Sequence, residues 1–60
     1  MEVKRELLAK AMSSREIGLG FYRQCETASG RDMKYAMMLE ATFWMIKSNN
    51  ELLQAMLAGE

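Results

Sequence analysis

Apolar and small residues recur every three or four positions in the N-terminal half of the chain, the spacing that places side chains on one face of a helix. The series contains no charged residue and consists of Leu7, Ala11, Ser14, Gly18, Phe21, Cys25 and Ala28. Most of these side chains are small, so another backbone can approach this face closely. The pattern predicts a first helix over about residues 2–28 with a contact surface along it.

A second apolar series follows heptad spacing in the C-terminal half. Its members are Tyr35, Met38, Thr42, Met45, Asn49, Leu52 and Met56, and it is widened by Leu39, Ile46 and Leu53. This spacing predicts a helix over about residues 32–57 whose stripe faces a core. Asn49 lies inside the stripe, where an amide either fixes the register of association or turns toward solvent.

A clear break between the two series occurs at Ser29-Gly30-Arg31-Asp32. Gly30 can take the left-handed conformation that closes a helix, and Ser29 or Asp32 can cap the amides that open the next one. Proline is absent, and residues that favour helices dominate the composition. The predicted fold is therefore all-α, a single domain over residues 1–60 formed by an antiparallel two-helix hairpin with its turn at residues 29–31.

A three-helix alternative is open at Ser13-Ser14-Arg15-Glu16. Ser13 and Glu16 have the spacing of a capping box, and Met12 and Ile17 are placed as a hydrophobic staple. The apolar phase nevertheless runs through this segment without a shift. The sequence favours one continuous first helix.

The segment over residues 35–46 is apolar on nearly every side, with Glu40 as its one charged residue. A helix of this kind is buried on every side. One antiparallel helix covers one face only, so Met37, Ala41 and Trp44, or else Ala36 and Phe43, are expected to face outward. Two hairpins would cover more of this surface by forming a four-helix bundle, with a homodimer as the favoured state. The predicted interface consists of Tyr35, Met38, Thr42, Phe43, Trp44, Met45, Asn49, Leu52 and Met56, together with Gly18 and Phe21.

Composition narrows the functional classes. The chain has 60 residues, eight basic and eight acidic, and no histidine, so the commonest acid/base group and metal ligand is missing. We expect no enzymatic activity, no cofactor and no bound metal. The basic residues form no patch, which argues against binding to nucleic acid.

The longest nearly uncharged run has 12 residues, too few to span a bilayer. Cys25 has no partner for an intrachain disulfide, and the mixed-charge start resembles no signal peptide, so the cytoplasm is the expected compartment.

The segments Glu16-Ile-Gly-Leu-Gly-Phe-Tyr22 and Leu39-Glu-Ala-Thr-Phe43 resemble the helical hairpin of the rubrerythrin and ferritin-like proteins. That family carries a ligand Glu about two turns before a Tyr, and a Glu-x-x-His motif in the second helix. Here Arg15 lies seven residues before Tyr22, Glu16 is one residue out of phase, and Phe43 stands at the histidine position. The resemblance implies a relative without the metal.

The segment Gly30-Arg-Asp-Met-Lys-Tyr35 is similar to the turn of the small helical-hairpin co-chaperones of type III secretion. This resemblance implies an adaptor that holds an amphipathic helix of a different protein. The sequence thus favours a non-enzymatic, self-associating interaction module. The adaptor or co-chaperone is the alternative, and a carboxylate metal-binding bundle with Glu16 and Glu40 is a third class.

Overall fold

Two long helices account for nearly all of the chain in the computed structural model, which describes residues 2–58. Helix α1 spans Glu2–Thr27 and helix α2 spans Arg31–Leu57, and the two pack side by side as an antiparallel hairpin. No strand occurs within the described residues. The first helix is continuous through Ser13, so the three-helix alternative is wrong.

The turn between the helices depends on Gly30. Its φ of 101° lies in a region that side chains rarely allow, and this residue precedes the first turn of α2. The Gly30 carbonyl accepts a hydrogen bond from the Lys34 amide at 3.1 Å, while the Ala28 amide bonds to the Cys25 carbonyl at 3.3 Å. No side chain caps the start of α2. The prediction of a cap from Ser29 or Asp32 is therefore wrong, and the glycine alone makes the turn.

We call the buried line between the helices the seam. Its members are Ala11, Ser14 and Gly18 from α1 and Ala41, Ser48, Glu51 and Ala55 from α2. The α1 members belong to the predicted series of small residues, whose role as a contact surface is confirmed. A β-carbon on Gly18 would lie 2.9 Å from Met45 Sδ and 3.4 Å from the Ala41 carbonyl oxygen. The glycine therefore allows the two backbones to lie close together.

The face that α2 turns toward α1 differs from the predicted one. Ala41, Ser48 and Ala55 recur every seven residues and are almost fully buried, whereas most of the predicted stripe is exposed. Of the two sets of residues expected to face outward, the set that contains Ala41 is wrong, whereas Ala36 and Phe43 of the other set are exposed. Heptad spacing occurs twice on α2, and the smaller residues face α1 because only they fit opposite Ala11, Ser14 and Gly18.

The hairpin is long and thin. Its Cα atoms extend over 47 × 13 × 9 Å, and their radius of gyration is 13.8 Å, compared with about 10 Å for a compact chain of this length. A pair of helices has no third layer to cover the sides that point away from the seam. The fold therefore leaves most of the side-chain surface of α2 open.

Candidate association surface

Large apolar side chains lie mainly on the outside of the hairpin. Within residues 2–58, no large side chain is fully buried, and the buried hydrophobic residues are three alanines, Ala11, Ala41 and Ala55. By contrast, Leu39 is 73% exposed and Met56 is 69% exposed. Soluble monomers rarely expose apolar residues as one continuous surface. The distribution of small residues inside and large residues outside points to a surface that another molecule covers.

The most continuous part of this surface lies on the side of α2 that points away from α1. We call it the outer face of α2, and it consists of Tyr35, Ala36, Leu39, Thr42, Phe43, Ile46, Asn49, Asn50, Leu53, Met56 and Leu57. All of these residues are exposed and none is charged. At 1.5 Å per residue the face is about 33 Å long. The charged residues of the same stretch, Glu40, Lys47 and Glu51, lie elsewhere on the helix.

A polar cluster lies in the middle of the seam. The Ser14 hydroxyl donates to Glu51 Oε1 at 2.8 Å, and Lys47 Nζ donates to Glu51 Oε2 at 2.8 Å. The Ser48 hydroxyl donates to the Ala11 carbonyl, also at 2.8 Å. Each of these buried polar groups therefore has a partner, which removes the cost of placing it between helices. The cluster links α1 to α2 with directional bonds where apolar contact is small.

The charge on Glu51 is stabilised by these contacts. The hydrogen bond from Lys47, and then the one from Ser14, hold the pKa of the Glu51 carboxyl below its ordinary value, although burial acts in the opposite direction. The Lys47 side chain is 44% exposed, so water and salt screen part of its charge. Glu51 is therefore ionised and fully bonded at neutral pH, which suits a structural group.

Trp44 lies beside this cluster and not on the outer face. It lines an open groove along one flank of the seam with Lys10, Ile17 and Lys47. The Lys47 ammonium lies 5.6 Å from the centre of the indole ring, within range of a cation–π interaction. Phe43 meets the indole edge to face, with ring centroids 5.4 Å apart. The aromatic pair thus connects the groove to the outer face of α2.

The residues predicted to form the interface fall into three groups. Tyr35, Thr42, Phe43, Asn49 and Met56 lie on the outer face of α2, and Met38 and Leu52 are exposed on its flank. Trp44 and Met45 are partly buried beside the seam. Gly18 is buried within the seam, and Phe21 is partly buried on the same face of α1. The interface between chains stays a prediction for all of them.

Sequence reasoning missed Ser48 and Glu51, which form bonds across the seam. The signal was present in two spacings: Ser48 lies seven residues from both Ala41 and Ala55, and Lys47 and Glu51 have the i,i+4 spacing of a helical ion pair. The heptad spacing of Ala41, Ser48 and Ala55 was overlooked because the neighbouring stripe has larger apolar residues at the same intervals. Small residues at heptad intervals therefore give information in addition to apolar ones.

Glu16 and Glu40 are both exposed, and no group of three or more potential metal-binding side chains occurs in residues 2–58. The Cys25 thiol is partly buried and donates to the Lys34 carbonyl at 3.6 Å. Across the described part of the chain, neither helix combines the length and apolar character needed to cross a membrane.

Comparison with known protein families, curated proteins and solved structures finds no match to this chain. The resemblances to ferritin-like hairpins and to co-chaperone hairpins therefore rest on the short sequence segments alone.

Proposed function

We propose that this chain is a non-enzymatic helical module that works by self-association, two hairpins forming a four-helix bundle as a homodimer. The observation that carries the proposal is the exposure of most large apolar side chains, while the seam consists mainly of small residues. A hairpin of this kind gains little from its own seam, because alanine and serine bury little apolar area. A second hairpin supplies the missing layer. The single cysteine favours a reducing compartment such as the cytoplasm.

The accessible surface supports this proposal quantitatively. The chain exposes 4756 Å², whereas a compact monomer of 6.9 kDa exposes about 4,000 Å². The excess is about 750 Å², close to the ~800 Å² that each partner contributes to a standard protein interface. One additional copy is therefore enough to bring the exposed surface into the ordinary range.

The alternative function is an adaptor that holds an amphipathic helix of a different protein. The methionines of α2 favour it, since Met33, Met38 and Met56 are all exposed and thioether side chains repack easily around varied partners. The two functions differ in the state of the isolated chain. A self-associating module is cooperatively folded alone, whereas an adaptor without its client is a loosely packed monomer.

Sedimentation equilibrium on the purified chain tests the proposal over a range from about 1 to 100 μM. We expect a mass of twice the 6.9 kDa chain and a melting temperature that rises with concentration, because dimerisation adds to apparent stability. A cooperatively folded monomer throughout this range would contradict the proposal. A monomer without a cooperative melting transition would favour the adaptor.

A further inference from the structure

The outer face of α2 is the strongest candidate for the contact between copies. We propose that it packs against the outer face of α2 in a second copy, so that the α2 helices lie together at the centre and the α1 helices lie outside. This inference rests on the proposed self-association and specifies the surface that carries it. Two observations support this choice of face. One is the distribution of charge around the hairpin, and the other is the heptad spacing of three exposed aliphatic residues on the face.

The charge distribution separates the outer face of α2 from the opposite side of the hairpin. The corresponding side of α1 carries Glu2, Arg5, Glu6, Glu16, Arg23 and Glu26, all exposed. Burying such charges without partners costs several kcal/mol per ion. The outer face of α2 has no charged residue over about 33 Å. Burying it in an interface therefore does not require the removal of a charge from water.

One flank of the hairpin offers a competing contact. Trp44 and Lys47 share the groove with Lys10 and Ile17, so Met38, Met45 and Leu52 lie on the other flank of α2, beside Leu8, Arg15 and Tyr22 of α1. Arg15 is exposed and lies seven residues from both Leu8 and Tyr22. A partner on this flank would have to cover its guanidinium. The flank is therefore less suitable than the outer face of α2.

The spacing of the outer face suits a partner identical to itself. Leu39, Ile46 and Leu53 are seven residues apart, and they are 73%, 54% and 57% exposed. A two-fold axis through Ile46 brings the two Ile46 side chains together, and it pairs the leucines whichever way the second helix runs. Self-complementary contact is what a symmetric dimer requires. The excess surface of about 750 Å² per chain is the area that one such contact removes.

Charge insertion on the two faces tests the proposal. We expect Ile46→Lys to raise the dimer dissociation constant at least about 30-fold, the size of an interface hot spot, because two ammonium groups then meet at the axis. Met12→Lys makes the same apolar-to-lysine change at a residue of α1 that is 69% exposed and lines no groove, and it should change the constant less than about 3-fold. Leu8→Lys probes the competing flank and should likewise have little effect. Sedimentation equilibrium measures all three.

Crosslinking gives a second measurement that does not depend on charge in the interface. In a Cys25→Ser background, Ile46→Cys should be joined into a covalent dimer by a short bis-maleimide, while Met12→Cys should not. A dimer that survives Ile46→Lys, dissociates with Leu8→Lys and fails to crosslink at position 46 would overturn this choice of face while self-association stands. A wild-type chain that is monomeric would instead overturn the proposed function.

Discussion

The two helices of this hairpin share one seam but differ on the sides that point away from it. On α1 the outside carries six exposed charged residues, whereas the outer face of α2 carries none between Tyr35 and Leu57. Along the seam the helices are alike, because both contribute alanine, serine or glycine. The residues that hold the hairpin together are therefore not the residues that dominate its apolar composition.

This difference shows that one set of residues forms the hairpin and a separate set is available for association between copies. The seam brings the helices close and fixes their register with bonds such as Ser48 to Ala11 and Ser14 to Glu51. The outer face of α2 has little role in that contact. Its large side chains supply the apolar surface that a second layer of helices would remove from water. Changes on the two faces should therefore affect different measurements.

The largest effect is expected from overfilling the seam. Ala41 is completely buried, and its carbonyl oxygen lies close to Gly18, so Ala41→Leu forces the helices apart. We expect a loss of about 3 kcal/mol in the free energy of unfolding, at the upper end for overpacking. Ala36→Leu is the matched control, because Ala36 is exposed on the outer face of α2. It should leave the hairpin intact, and urea unfolding at fixed concentration compares the two.

Equal losses for both leucine variants would show that the outer face of α2 is packed as tightly as the seam. Equal tolerance would show that the seam is not tightly packed. In either case the two faces of α2 would not differ as the structure indicates.

The predictable part of this fold is α1 and the turn. The small residues from Ala11 to Gly18 indicate the contact face because another backbone can approach them closely, and Gly30 indicates the turn because no other residue tolerates its φ so readily. On α2 the apolar pattern was ambiguous. Two heptad stripes share this helix, and the one that faces α1 is the one whose side chains fit against it. That fit depends on both helices together, so neither sequence segment alone predicts it.

A smaller effect is expected from the neighbouring aromatic residues Trp44 and Phe43. Trp44 is partly buried in the groove beside the seam, whereas Phe43 is 56% exposed on the outer face of α2. Trp44→Ala should cost about 2 kcal/mol of folding stability, less than the ~3–5 kcal/mol of a fully buried tryptophan. Phe43→Ala should mainly weaken association, which lowers the melting temperature and makes its dependence on concentration shallower, because less of the chain is dimeric.

Calorimetry at several protein concentrations separates these two outcomes, because folding within the hairpin is independent of concentration and association is not. The reverse assignment, with Trp44→Ala acting only on association, would mean that a second copy covers the indole within the groove. The groove would then belong to the interface, as the sequence pattern predicted for Trp44.

The smallest effect is expected from pH, through the polar cluster at the seam. The folded chain holds the pKa of Glu51 below its ordinary value of 4.5, so the unfolded chain binds a proton at a higher pH than the folded chain does. The stability that this carboxylate contributes is therefore complete above about pH 5 and is lost as the pH falls below the ordinary pKa toward the lowered one.

Glu51→Gln removes the titrating group and should flatten this part of the stability profile, while Glu16→Gln, a change at an exposed carboxylate, should not. Urea unfolding between pH 3 and 6 provides the measurement. If the wild type and Glu51→Gln lose stability in parallel as the pH falls, the hydrogen bonds from Ser14 and Lys47 do not stabilise the Glu51 carboxylate in the dissolved protein. The small side chains alone would then maintain the seam.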